Sequence, residues 1–240
     1  MPAEPLISIV VPAYDEERTI EEVLRKVAAA PFRTEILVVD DGSRDATPEI
    51  LARLEGELDG LRALRQPVNR GKGAAVRVGI GASRGDIVVI QDADSEYDPK
   101  DLPTLLAPLL EGHADAVYGT RLRGGEPQRA HLFWHYAGNR FLSLLTNVLY
   151  NTTISDMEVG YKAFRGDLIR SLRLVSDDFR FEPEVTAKVL RTPGVRLYEV
   201  PISYYGRTFA EGKKITWRDG LKAVAALLRF RFSPRSVWRD

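Results

Sequence analysis

Cysteine is absent from the 240 residues. That removes disulfides, thiol catalysis and Cys-ligated zinc together. Net charge is absent too, because 34 basic residues balance 34 acidic ones. Nucleic-acid binders carry a basic excess, so no nucleic-acid partner is expected. No run approaches the roughly 20 apolar residues of a membrane-spanning helix. Residues 1–8 hold neither a basic start nor a long apolar stretch, so the reading is a cytoplasmic chain without a signal peptide. Internal repeats and low-complexity tracts are also missing. What remains is 44% hydrophobic and 28% charged, enough to bury a core without covalent staples. One domain over residues 1–240 is expected.

The first half alternates short β-branched runs with helical patterns. Strands are predicted at Leu6–Val11, Glu35–Val39, Leu61–Arg65, Asp86–Gln91 and Ala114–Gly119. Between them lie a helix over Glu16–Ala30, one starting at Pro48, one from the Asn69–Gly73 turn to Ala82, and one from Asp98-Pro99 to Leu110. The alternation predicts an α/β protein with a doubly wound, mostly parallel sheet flanked by helices. Ligands bind such sheets beyond the carboxyl ends of the strands. The polar residues collect there: Tyr14 and Glu16 after the first strand, Asp40 and Asp41 after the second, Asp92 and Asp94 after the fourth, Arg121 after the fifth. Beyond Arg121 the sequence predicts a loop over Leu122–Arg129, helices over Gly138–Tyr150 and Glu182–Arg191, and a short extended or turn segment at Ser155–Arg165. A strand at Val195–Tyr205 and an amphipathic terminal helix over Thr216–Phe232 complete it.

Asp92 and Asp94 share one face if strand geometry persists. Two carboxylates so close repel unless a cation lies between them, and hard oxygens favour Mg²⁺ or Mn²⁺. Glu96 can add a third oxygen. The plainer alternative is a solvated acidic turn before the Asp98 helix. Asp40-Asp41-Gly42-Ser43 can accept from a nucleobase N–H or a ribose hydroxyl, or form a tight turn, or both. Arg70 and Lys72 in the Asn69–Gly73 turn suit an anionic or ribose-bearing ligand. Arg121, Arg123, Arg129 and Arg140 suit a phosphate acceptor. His131 and His135 lack a third zinc ligand, so packing or an acceptor-lid role is favoured. The terminal helix combines Leu221, Val224, Leu227 and Leu228 with Lys222, Arg229 and Arg231, which fits either packing on the domain or a membrane interface.

Four motifs occur in order: Val11-Pro12-Ala13-Tyr14-Asp15-Glu16, Val38-Val39-Asp40-Asp41-Gly42-Ser43, Asn69-Arg70-Gly71-Lys72-Gly73 and Gln91-Asp92-Ala93-Asp94. Together they resemble glycosyltransferase family 2, the inverting enzymes of the GT-A fold. Gly119-Thr120-Arg121, the segment from Asp156 to Arg165 and the segment from Arg207 to Ile215 are similar to the polyprenyl-phosphate (dolichyl-phosphate) mannosyl- and glucosyltransferases. The similarity covers roughly residues 6 to 220.

The resemblance implies a hexose donor linked to UDP or GDP and a polyprenyl-phosphate acceptor. Pro12, Tyr14, Glu16 and Asp41 would surround base and ribose, with Lys72 and Asp92 also on the donor. Asp92, Asp94 and Glu96 would hold the metal, although many relatives have Gln at the position of Glu96. Arg121, Arg140, Arg207 and Lys213 form the acceptor-phosphate set. Asp156, Asp94 and Arg121 would be catalytic. Asp156 would be a general base for a hydroxyl acceptor, or an orienting charge for a phosphate. Residues 1–121 then form the donor half, 122–215 the acceptor half with its C-terminal helices, and 216–240 the amphipathic helix. Many relatives append transmembrane helices, so peripheral contact at the inner face of a membrane, or a membrane-protein partner, is expected. A saccharide or small-molecule acceptor is the second reading. A non-catalytic nucleotide-sugar-binding protein is the third, and the close Asp92/Asp94 pair argues against it.

Overall fold

The computed structural model describes residues 4–124, 129, 133–207 and 217–234. Seven strands form one sheet in the order β3-β2-β1-β4-β6-β5-β7. Strands β1 (Ile7–Ala13), β2 (Thr34–Asp40), β3 (Leu61–Arg65) and β4 (Ile87–Ile90) run parallel. The near-continuous apolar runs of β1, β2 and β4 are buried on both faces, as a helix-covered parallel sheet requires, while β3 at the sheet edge is mostly half-buried. Helices α1 (Ile20–Ala28), α2 (Thr47–Glu57) and α3 (Lys72–Ala82) connect them. The predicted face of α1 is the buried one: Ile20, Val23, Leu24 and Val27.

The helix predicted from Glu16 begins at Ile20 because the preceding residues are committed to a loop. Asp15 sits at φ 53°. The Asp15 amide donates to Ser43 Oγ (3.0 Å) and the Glu16 amide to Thr47 Oγ1 (3.0 Å), tying the β1–α1 loop to the β2–α2 loop. After β4, Asp98 accepts from the Lys100 amide and starts a short 3₁₀ turn at Pro99–Asp101, which leads into α4 (Leu102–Leu110).

The second half departs from simple winding. Strand β5 (Ala116–Thr120) does not pair with β4. Strand β6 (Lys162–Arg165) lies between them and is antiparallel to both. Ser155–Arg165 reads from sequence as an extended or turn segment; its last four residues are this central strand. Strand β7 (Leu197–Pro201) runs parallel to β5 at the edge. Helix α5 (Phe133–Tyr150) starts five residues before the predicted Gly138. Helices α6 (Gly166–Ser171), α7 (Phe181–Leu190) and α8 (Trp217–Phe232) follow. Leu142, Ile154, Met157, Ala223 and Leu227 form a small second core where α5 meets α8. Among the described residues no helix is long and apolar enough to cross a membrane.

Candidate active site

A cavity of about 550 Å³ opens beyond the carboxyl ends of β1, β2 and β4. Pro12, Tyr14, Glu16, Asp41, Lys72, Asp92, Asp94, Glu96, Arg121 and Arg207 all line it. Sequence segments nearly 200 residues apart therefore meet at the predicted edge of the sheet. Arg140 is exposed on α5 and is not among the lining residues. Its neighbour Asn139 is, because one residue along a helix turns the side chain about 100° away. Asp156 approaches the cavity from behind, buried against Arg121. Lys213 and His131 lie outside the described residues, and His135 lines the cavity on α5.

Asp41 is largely a scaffold for the next loop. Its Oδ1 accepts from Gln66 Nε2 (3.0 Å) and the Arg70 amide (2.9 Å), and its Oδ2 from the Gly71 amide (2.7 Å). Burial still raises its pKa despite those amides. Gly71 adopts φ 102°, and a Cβ there would stand 2.5 Å from the Asp177 carbonyl oxygen. The loop can therefore press its backbone against the segment before α7 only with glycine at this position.

That loop delivers Lys72. Its Nζ stands 2.8 Å from Asp92 Oδ1 and 3.0 Å from Glu182 Oε1. Burial alone would lower its pKa, but Asp92 and Glu182 outweigh burial and raise it well above the ordinary value. Asp94 lies on the other side of the acidic cluster. Burial, reinforced by Asp92 and Glu96 and opposed by Arg207, pushes its carboxyl up to about 7. Arg207 reaches Asp94 Oδ2 at 2.6 Å and Glu16 Oε2 at 3.2 Å. Glu96 accepts from Tyr204 Oη (2.8 Å) and the Arg207 amide (2.8 Å).

Arg121 and Asp156 form the third charged group. Nε and Nη2 of the guanidinium each lie 2.7 Å from an Asp156 oxygen, a two-pronged pairing. Burial would raise Asp156, but Arg121 and the Asn139 amide (2.7 Å) hold it below the usual carboxylate range. The Arg121 guanidinium also lies 4.9 Å from the centre of the Tyr204 ring.

Glu158 and Glu182 also line the cavity, and sequence reading had not picked out either as a site residue. Glu182 read as the start of a helix, and Glu158 was only part of a longer motif. Burial and the Glu182 charge push the Glu158 carboxyl up to about 8. Lys162 lies buried close by; burial drives its pKa down to about 8, and its ammonium donates to the Met157 and Val159 carbonyls.

The sequence model described as Glycosyl transferase family 2 matches residues 8–173. The chain is 31% identical over 216 residues to an undecaprenyl-phosphate mannosyltransferase of Micrococcus luteus, covering 85% of each. It is 28% identical over 237 residues to a dodecaprenyl-phosphate galacturonate synthase of Rhizobium johnstonii, covering 95% of this chain and 68% of that one. The crystal structure of glucosyl-3-phosphoglycerate synthase from Mycobacterium tuberculosis, with Mn²⁺, UDP and glucosyl-3-phosphoglycerate, superposes with a TM-score of 0.74. It is 24% identical and covers 97% of this chain and 82% of that one, a likeness that speaks to fold. The chain belongs to glycosyl transferase family 2 and is a glycosyltransferase of the GT-A fold.

Proposed function

We propose that the chain moves a hexose, with inversion, from a UDP- or GDP-linked sugar to a polyprenyl phosphate, using Mg²⁺ or Mn²⁺. The observation that carries this reading is the division of one cavity into an acidic cluster, three cations and an apolar flank. Asp92, Asp94 and Glu96 form the cluster; Lys72, Arg121 and Arg207 are the cations; Trp134, Phe141, Leu142, Leu221 and Val224 form the flank. Two of the relatives above are named for polyprenyl phosphates, which supports the acceptor.

The donor set fits a hard cation in kind. Burial, with Asp92 and Glu96 close by, pushes the Asp94 carboxyl up to about 7 even with Arg207 2.6 Å away, so a further cation beside it would be favourable. Among the described residues no three acidic or histidine side chains converge to hold an ion by themselves. Of the expected set, Asp92 and Asp94 would hold the ion, since Mg²⁺ binds one or two carboxylates and completes its shell with water and substrate phosphates. When bound, the ion would offset charge on the departing diphosphate. Pro12, Tyr14, Glu16 and Asp41 face base and ribose, and Lys72 lies beside the diphosphate. An oxygen of the acceptor phosphate attacks the anomeric carbon as its bond to the diphosphate breaks. Such an acceptor is already ionised, so no proton need be removed. Both Asp156 oxygens are engaged, which fits a group that positions Arg121 rather than a base.

The apolar flank continues outwards. Trp134, Phe141 and Val148 recur every seven residues along α5, at 81%, 57% and 73% exposure, and Leu221, Leu228 and Phe232, spaced seven and then four apart, are exposed on α8. Arg140 on α5, with Arg218, Lys222, Arg229 and Arg231 on α8, gives five exposed basic residues against one acid, Asp219. Such a face suits peripheral contact with an anionic bilayer, from which a lipid phosphate would be drawn.

The deciding experiment is a donor screen with Mg²⁺ or Mn²⁺, with and without polyprenyl phosphate, on the parent chain and Asp94→Ala. Turnover is expected to need both metal and lipid phosphate and to collapse in the variant. If no nucleotide sugar binds or turns over, the reading fails. Arg207→Ala is expected to lose lipid-phosphate transfer; transfer persisting to a simple saccharide alone would favour the hydroxyl-acceptor reading.

A further inference from the structure

Most polar groups around the cavity are engaged with one another. Four side-chain atoms of lining residues are not: Glu158 Oε1, Glu182 Oε2, Asn139 Oδ1 and Arg207 Nε are sealed from solvent without a hydrogen-bond partner among the described residues. Arg207 Nε is a donor, 3.7 Å from Glu96 Oε1, and suits a phosphate oxygen; the other three atoms are oxygens. Glu182 is only 4% exposed. Its other oxygen is taken by Lys72. The Asn139 amide nitrogen is turned to the Asp156 carboxylate, which can only accept, so the amide oxygen faces elsewhere.

All three oxygens can accept: an amide oxygen only accepts, and a carboxyl keeps an accepting oxygen even when its twin carries the proton. Buried acceptors left without donors are costly, so a bound ligand is expected to complete them. Phosphates bring further acceptors and belong beside Lys72, Arg121 and Arg207. A nucleobase has few N–H groups. A hexose offers several O–H donors spread over one small ring. We infer that Glu158, Glu182 and Asn139 form the pocket for the transferred sugar and select a neutral, hydroxyl-rich hexose over a uronic acid.

The inference rests on the nucleotide-sugar reading above. Its chemical basis is sign as well as hydrogen bonding. A uronate carboxylate brings no donor and would stand beside the Glu182 and Glu158 carboxyl groups, like-charged neighbours in a buried setting. Of the cations close by, Lys72 is already shared between Glu182 and Asp92 (3.0 and 2.8 Å), and Lys162 is spent on the Met157 and Val159 carbonyls and stands 4.7 Å from the centre of the Tyr118 ring. The two relatives described above carry mannose and galacturonate in their names. This pocket places the chain with the neutral sugar.

Calorimetric titration of the whole chain with UDP, GDP and their paired hexose and uronate conjugates, with Mg²⁺ present, tests this. The hexose conjugate of the preferred nucleotide is expected to bind about tenfold or more tighter than its uronate counterpart. Among monodeoxy hexose conjugates, at least one is expected to bind about tenfold more weakly, having lost a hydroxyl these oxygens need. Glu182→Gln is expected to narrow the hexose-to-uronate ratio, with affinity for the nucleotide diphosphate alone as internal reference. Equal or tighter uronate binding, or a full series of deoxy sugars bound like the parent, overturns the sugar pocket while leaving the donor site intact. Failure of both UDP and GDP to bind removes the donor reading itself. The parent-chain titrations decide the matter even if Glu182→Gln does not fold.

Discussion

Asp156 has no solvent exposure and accepts from the Arg121 amide, Arg121 Nε and Nη2, and Asn139 Nδ2. Asp156→Ala leaves a mostly buried guanidinium without its counter-charge. It is expected to cost about 3–5 kcal/mol in urea denaturation, and Asp156→Asn less. Two acids in the site act on stability in opposite senses. Asp156 is held below its ordinary value, so its contribution is present above about pH 4 and lost as pH falls through the folded value. Asp94, pushed from 3.8 up to about 7, keeps a proton in the native state that the unfolded chain has lost, so stability falls as pH rises between those values. In EDTA, Asp94→Asn is therefore expected to gain stability over the parent progressively from about pH 4 to about pH 7. A flat difference across that range, measured by denaturant titration, would remove the stated environment of Asp94. Asp92 and Asp94 could be read from sequence because their spacing and strand-end position announce them. Glu158 and Glu182 could not, since only the pairing of β6 with β4 and the approach of α7 to Lys72 give them their surroundings.

At the scale of elements, period and length decided what was legible. The four parallel strands were found within two or three residues from their apolar runs. Strand β6 was missed because four residues carry too little pattern and because its antiparallel pairing breaks the βαβ rhythm. Arg140 was grouped with the phosphate ligands on composition, but its helical phase turns it outwards while Asn139 faces the cavity. The start of α3 makes a sharper demand. Gly71→Ala would place a Cβ 2.5 Å from the Asp177 carbonyl oxygen at φ 102°. It is expected to lose about 2–3 kcal/mol and to weaken donor binding by displacing Lys72. Parallel thermal unfolding and nucleotide titration check both parts. On α5 and α8, Val148→Ser combined with Phe232→Ser, both exposed and outside the cavity lining, is expected to reduce vesicle binding without changing nucleotide affinity.

Over the whole molecule, zero net charge hides an uneven distribution. The α5 and α8 surface has four more basic than acidic residues, five against one, so acidic excess must lie elsewhere on the chain. Sedimentation with vesicles containing anionic lipid is expected to weaken steeply between about 0.1 and 0.5 M salt, because each surface cation contributes about 1 kcal/mol that ions screen. Vesicles of neutral lipid should bind little at either salt; equal binding to both would point to apolar insertion alone. The position of β6 has a temporal consequence. Asp92 follows β4 and Arg121 follows β5, yet those strands stay apart until Lys162–Arg165 arrives between them. During synthesis the amino-terminal strands can pair as they emerge, but the two banks of the catalytic cleft have no bridge before Arg165 is made. Maturation of the site is thus a late, long-range event in folding, and a chain stalled before that residue would have a donor-side scaffold with no enzyme around it.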